Sequence, residues 1–356
     1  MRKLMKWVLT GLAGLAVFSS GLPAQAAKSS SSNGTTSNNI GFSVAAQLPK
    51  NQIDDKESFF DLKMDKGQTQ TLKTTIYNST NRDIKVTSAI HTAYTNTAGA
   101  IEYVTPGKKY DSSLKYKMSD ITKLDGAKTV TVPANGSKVV SATVKMPSEQ
   151  FNGAILGGWY FKRVNEKATG EVKGATNISS QYSYVLGIKY SSGTTPAPVL
   201  KLSDVSAGMV NYHTGVVATL RNTAAVMIPK GTPNTTITSK NSGKVVKKET
   251  KKNVMIAPNT TYNYPLLFGK TKLQAGTYHL HMVAKNSDHK WTFDRDFKIT
   301  EATAKKYNKS SMDNSGISIW WLVALGALGM LILVLLVLLI IFLIRKKRKN
   351  KGKDEA

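Results

Sequence analysis

The sequence of 356 residues contains no cysteine. That excludes disulfide bridges, thiol catalysis and cysteine-ligated metal centres, so any exported part must be held by its core alone. Acidic residues are also scarce. There are 22 Asp and Glu against 49 Lys and Arg, a formal net charge of +27. Such an excess draws anionic polymers and acidic partners over long range, with a strength that salt reduces. It serves equally well as counter-ion balance in a negatively charged wall, and composition leaves both readings open. No G-x-S-x-G, S-x-x-K, H-E-x-x-H or P-loop pattern occurs, which removes the common hydrolase and nucleotide-binding signatures. Segments with the 3.6-residue period of an amphipathic helix are missing before residue 317.

What is present at the two ends is explicit. Arg2, Lys3 and Lys6 precede an apolar run from Trp7 to Phe18 and a small-residue site at Ala24-Gln25-Ala26. This is the pattern of a secretory signal peptide (1–26), too short in its apolar core to span a bilayer comfortably. At the other end, residues 317–344 carry no charge. As a helix they would extend about 42 Å at ~1.5 Å per residue, enough to cross a hydrocarbon core of roughly 30 Å with tilt. Trp320 and Trp321 lie at one end and Arg345 to Lys349 at the other. Aromatic anchors and positive-inside charge place the basic tail (345–356) in the cytoplasm and the rest outside a cell membrane. Nucleic acid is therefore not among the expected partners, whereas the lipid bilayer is, through the C-terminal helix.

Between the ends, residues 27–39 are Ser, Asn, Thr and Gly-rich and read as a disordered leader. From residue 40 onward, short Val, Ile, Thr and Tyr-rich runs alternate with Gly, Asn, Asp and Pro turns. In SKVVSATVKM, Val140, Ala142, Val144 and Met146 fall on one face and Ser141, Thr143 and Lys145 on the other. SSGTTPAPVL (191–200) reads as an interdomain joint stiffened by Pro196 and Pro198. The halves on either side share a rhythm. TTIYNST matches ATLRNTA, and TVPANGSKVV matches IAPNTTYNYP. The expectation is all-β: two tandem immunoglobulin-like β-sandwiches (40–192 and 193–300), a polar stalk (301–316) and one C-terminal transmembrane helix. Trp159 and Trp291, one per half, are the expected core anchors.

Few residues point to chemistry. His279 and His281 share a strand face, where two metal nitrogens are geometrically allowed, yet spacing supplies no third ligand. Asp294 and Asp296 alternate with Arg295, the pattern of surface ion pairs. No catalytic, cofactor-binding or metal-binding residue is assigned. Tyr94, Tyr103, Tyr110 and Tyr116 gather around Lys108 and Lys109, a mixture that suits stacking on sugars beside an anionic polymer as well as ordinary sandwich packing. FNGAILGGWYFK (151–162) crowds glycines and aromatics together. Alternation puts Trp159 and Phe161 on one face and Tyr160 on the other, and Gly157-Gly158 marks a bulge or a close backbone approach. Trp159, Tyr160, Phe161, Tyr94 and Tyr103 are the candidate partner-binding residues.

Several of these segments resemble one family, the WxL-interacting proteins of Gram-positive bacteria, named for exported partners with Trp-x-Leu motifs. In the first half the matching pieces are FSVAAQLPKNQ, FFDL, GQTQTL, YTNTAGAIEY and, most specific, MPSEQFNGAILGG. In the second half they are IAPNTTYNYPLLF, QAGTYHL and KWTFDRDFKI. The resemblance implies a first domain that binds peptidoglycan, a second that binds host ligands such as a matrix protein, WxL-type proteins as partners, and no catalysis. Two other functions remain as alternatives, a wall-modifying enzyme and a direct host-matrix adhesin.

Overall fold

The computed structural model describes residues 41–164, 182–314 and 319–351. The expected signal peptide and leader lie outside the described residues. The remainder is the all-β architecture that the alternation predicts, with two sandwiches and an apolar helix after them.

The first sandwich packs a four-stranded sheet against a five-stranded one. The former contains β1 (Phe42–Gln47), β3 (Thr69–Asn78), β9 (Ser137–Lys145) and β7 (Thr122–Asp125), in that spatial order. The latter runs β2 (Phe60–Lys63), β11 (Ser183–Ser192), β10 (Gly153–Val164), β4 (Ile84–Thr92) and β8 (Thr129–Val132). All pairings are antiparallel except β2 with β11. Ala142, Val144 and Met146 are buried as their spacing requires, against Leu72, Ile76, Trp159 and Phe161. Trp159 anchors this core and has no exposed surface. Burying its indole removes roughly 200 Å² from water, on the order of 5 kcal/mol. A two-stranded ribbon, β5 (Tyr94–Thr95) with β6 (Ile101–Glu102), leaves the sandwich and opens a long loop ending at the short helix Met118–Ile121.

The second sandwich pairs β12 (Leu200–Val210), β13 (His213–Asn222) and β17 (Thr260–Leu267) in one sheet. The other holds β15 (Val245–Thr250), β14 (Ile228–Ser239), β18 (Gly276–Lys285) and β19 (Lys290–Ile299), with β16 (Val254–Ile256) also on β14. Its core is built on Tyr262, Tyr264, Leu280 and Met282. Trp291, expected as the anchor, packs only at the margin and stacks on His289 at 5.6 Å. Its position near the start of the edge strand β19 explains this, because one side of an edge is open.

The repeated rhythm in the two halves has a physical cause. Asn78 and Asn222 each end a strand, buried, and each holds backbone carbonyls of two other segments. Asn78 Nδ2 donates to Arg82 O at 2.8 Å and to Pro133 O at 2.8 Å. Asn222 Nδ2 donates to Val226 O at 2.6 Å and to Ala257 O at 3.0 Å. The partner turns match as well: Asn135 and Asn259 both take left-handed backbone, with φ of 51° and 50°.

The expected polar stalk is different. Residues Glu301–Ser310 form a helix capped by Thr300, whose side chain accepts from Thr303 N. Ala304 and Tyr307 of this helix pack on the second core, and Asn308 exchanges two hydrogen bonds of 2.9 Å with the backbone of Leu273. Met312 N donates to Tyr212 O at 3.0 Å. The sequence EATAKKY is rich in helix formers behind a Thr cap, but at ten residues it is stable only because its Ala-Tyr face finds the sandwich. Beyond it, the helix Ile319–Lys351 contains Val323–Leu343, a 21-residue stretch of mean hydropathy 3.2 whose side chains are exposed rather than packed in a core. Its length, about 31 Å at ~1.5 Å per residue, matches a bilayer core and suits a membrane anchor.

Removing the Asn222 amide would take the side-chain donor from the part-buried Val226 O and leave the buried Ala257 O to the Thr260 hydroxyl alone. Asn222→Ala is expected to lower the unfolding free energy by about 3 kcal/mol, measured by urea denaturation. A loss below ~0.5 kcal/mol would show that the amide does not hold the turn.

Candidate functional site

The two sandwiches meet through the loop that follows β5. Asp111 is the centre of the contact. Its side chain is 1% exposed, whereas that of Arg221 is 30% exposed. Arg221 Nε donates to Asp111 Oδ2 and Nη2 to Oδ1, both at 2.6 Å, a bidentate pair. Thr261 Oγ1 adds a bond to Oδ2 at 2.6 Å, and Ser113 donates through N at 2.9 Å and Oγ at 2.8 Å. The Arg221 guanidinium above all holds the Asp111 carboxyl well below the usual carboxylate range; burial opposes it, and the Thr261 and Ser113 bonds add to the lowering.

Smaller contacts extend the joint. Thr95 Oγ1 accepts from Ala257 N at 3.0 Å and meets Thr260 Oγ1 at 2.9 Å. Met255 N donates to Gly99 O at 2.8 Å, and Ala154 N to Ala225 O at 2.7 Å. Gly99, with φ of +75°, and Gly153, with φ of +121°, sit where a Cβ would strike Tyr262 Oη or Ala225 O. Both glycines are therefore required by backbone and by the close approach of the second sandwich.

Two concavities flank this joint. The polar one, about 800 Å³, lies between the loop and strands β13 and β17. Tyr94, Asn96, Lys108, Lys109, Tyr110 and Arg221 line it, with Asp111 in its wall. Lys117 Nζ lies 5.5 Å from the Tyr110 ring centre. Burial raises the Tyr94 phenol above its ordinary range, with Glu102 and Tyr110 adding to the shift. The apolar one, about 630 Å³, lies on the outward face of β10 and β11 and is closed at one end by Val226, Met227 and Pro258 of the second sandwich.

The structure separates the five candidate aromatics into three groups. Trp159 and Phe161 stack at 5.2 Å inside the core, each without exposed surface, so neither reaches a partner while the sandwich is closed. This corrects the expectation for those two and follows from the same alternation that made them core residues. Tyr160 points outward and stacks on His91 at 5.3 Å, and His91 Nδ1 lies 2.9 Å from Tyr103 O. Tyr103 lines the apolar concavity, and Tyr94 lines the polar one. Gly157 and Gly158 form no bulge, because β10 keeps unbroken register with both β11 and β4. They allow close approach: a Cβ on Gly157 would lie 2.4 Å from Met118 Cγ, and one on Gly158 would lie 3.1 Å from Tyr103 Cβ.

His279 and His281 are engaged by carboxylates. His279 Nδ1 meets Asp296 at 2.7 Å, and His281 Nδ1 meets Asp294 at 2.8 Å. Hydrogen bonding to Asp296, supported by Asp294, raises the His279 imidazole. Asp294 and Asp296 are thus surface ion-pair partners, and among the described residues no group of three or more such side chains has metal-holding geometry. The residues that sequence reasoning missed are Asp111, Arg221 and Thr261. The triplet Asp111-Ser112-Ser113 does announce a local turn, but nothing local links it to an arginine 110 positions away.

Comparison with known sequences decides the family. The model described as WxL Interacting Protein, peptidoglycan binding domain, matches residues 42–163. The model described as WxL Interacting Protein, host binding domain, matches residues 173–309. The chain belongs to the WxL Interacting Protein family. Its domains are of binding families, in keeping with a binding role at the cell surface. No curated protein matches. Among solved structures, the Escherichia coli chaperone DraB shares 14% identity at a TM-score of 0.27, covering 73% of this chain and 98% of that one. The Pseudomonas aeruginosa CupB2 chaperone shares 10% at 0.24, covering 65% and 95%.

Because the native Asp111 titrates below its unfolded value of ~3.9, its stabilisation is fully present above that pH, starts to decline below it and is lost only as pH falls through the lower native value. Asp111→Ala strands Arg221 and is expected to cost about 3 kcal/mol at pH 7. The gap from wild type should begin to narrow below about pH 4 and keep narrowing as pH is lowered further in urea denaturation. A gap independent of pH would show that the carboxylate charge contributes nothing.

Proposed function

We propose that the protein is a membrane-anchored, non-catalytic surface adaptor that binds peptidoglycan or an associated anionic wall polymer and WxL-type exported proteins. The observation that carries this reading is the ordered pair of binding-domain matches, 42–163 and then 173–309. The apolar helix after them and the basic residues that follow it support an anchor with its tail in the cytoplasm. The second domain, matched by a host-binding family model, is the part that would meet a host ligand.

The polar concavity is the proposed wall-polymer site. Tyr94 and Tyr110 offer ring faces on which a pyranose can stack, and Asn96 and Asn263 offer donors and acceptors for hydroxyls. Lys108 and Lys109 are exposed at the mouth and supply attraction for an anionic chain. The Asp111–Arg221 pair neutralises itself, so the charge presented to a ligand is that of the lysines.

Full-length protein in lipid nanodiscs should co-sediment with purified insoluble cell wall. The double variant K108E/K109E should lower retention at least fivefold, and retention by wild type should fall as salt rises from 0.05 to 0.5 M. Equal retention by both proteins would remove the cleft from the function. Release of soluble wall fragments by wild type would favour the enzyme reading instead.

A further inference from the structure

In a β-sandwich, the residues that alternate with the core residues face water and are polar. Strands β10 and β11 break this rule near the second sandwich. Leu156 on β10 and Val185 on β11 face outward with Gly158 and Gly187, and Phe59, next to β2, stands beside them. Val226 and Met227 of the second sandwich complete an apolar trough of about 630 Å³, within the range of pockets that hold ligands.

The floor of the trough is a pair of glycines directly opposite each other, Gly158 and Gly187. Glycine within a strand weakens it and marks a place where something approaches closely. For Gly158 that something is Tyr103, together with Val185. Gly187 has no such neighbour. A Cβ there would meet only Phe59, at 3.6 Å, an ordinary contact, and its backbone is not left-handed. Nothing within the described residues requires glycine at 187, yet it forms the open part of the floor.

We propose that this trough seats the Trp and Leu side chains of a Trp-x-Leu segment from a WxL-type partner, with the extended partner backbone passing over Gly187. This rests on the adaptor reading above. Side chains two residues apart on an extended chain project from the same face, about 7 Å apart. A single apolar trough of about 630 Å³ has room for both at once, and the intervening residue faces away. Lys189, paired with Asp61 at 3.0 Å, lies among the lining residues and places polar groups beside the apolar lining for the partner's backbone. The match to a family described by its interaction with WxL proteins names the occupant.

The test uses full-length protein in nanodiscs and a 15-residue peptide carrying one Trp-Thr-Leu triplet, titrated by calorimetry beside its Ala-Thr-Ala counterpart. The Trp-Thr-Leu peptide should bind and the alanine peptide should bind at least tenfold more weakly. Gly187→Phe fills the trough without straining the backbone, and Met227→Lys charges its far wall at a residue already 39% exposed. Each should weaken peptide binding at least tenfold and leave cell-wall co-sedimentation unchanged. No binding by wild type, equal binding of both peptides, or wild-type affinity in both variants would overturn the assignment. So would self-association of the protein that Gly187→Phe abolishes in the absence of peptide, since the occupant would then be a second copy. Wall co-sedimentation read in parallel keeps the outcomes apart: its loss in wild type sinks the adaptor's wall-binding role, not the trough.

Discussion

The joint between the sandwiches depends on one buried carboxylate. Asp111 belongs to the first domain by sequence, but three of its five hydrogen bonds come from Arg221 and Thr261 of the second. A carboxylate this deep is tolerated only because each oxygen is satisfied and a guanidinium faces both. The second domain is thereby not a bead on a string. The segment around Pro196 and Pro198 connects the domains covalently, while the loop of residues 93–113 fixes how they meet. Both concavities exist because of that fixed meeting: the polar one is walled by the loop that carries Asp111, and the apolar one is closed by the residues beside Ala225, whose carbonyl accepts from Ala154 N.

The all-β class and much of the core were legible because they rest on local rules. Alternation placed Ala142, Val144, Met146, Trp159 and Phe161 inside, and the repeated Asn turns appeared as a rhythm before their hydrogen bonds were seen. What was illegible depends on distant partners. Gly157 looks like a bulge glycine until Met118, about forty residues earlier, is found against it. Arg221 looks like any outward residue of a strand until Asp111 arrives. The polar segment after residue 300 looks like a spacer because its helix needs the second core to form. The same limit governs the candidate aromatics: periodicity tells which ring faces out, as for Tyr160, but only packing tells which outward ring lines a cavity, as for Tyr94 and Tyr103.

The charge of the chain takes on a sharper meaning beside this geometry. Acidic residues are few, and in the second sandwich several are committed. Asp294 and Asp296 hold two histidines and Lys240. With Asp111 also occupied, the lysines at the polar cleft keep their charge available to a ligand. The chain as a whole keeps a net excess of +27. A few pairs, such as Arg221 with Asp111 and Lys240 with Asp296, offset part of it, and Lys108 and Lys109 stand exposed at the polar cleft.

The docked helix makes the segment after residue 300 part of the second sandwich. An extended stalk would let the domains wander, with a reach fixed by chain length. Instead the chain returns to the second sandwich and leaves it beside the β12–β13 turn, where Met312 bonds Tyr212 and Asp313 pairs with His213. His213 opens β13, and Arg221, which clasps the first sandwich, stands eight residues further along the same strand. At ~3.4 Å per residue those two points are about 27 Å apart. The second sandwich is therefore a rigid spacer between the chain's exit and the interdomain clefts, and its length is written in a hydrogen-bonded strand. A load applied between those two points would run along the axis of that strand, against the full ladder it makes with β12 and β17.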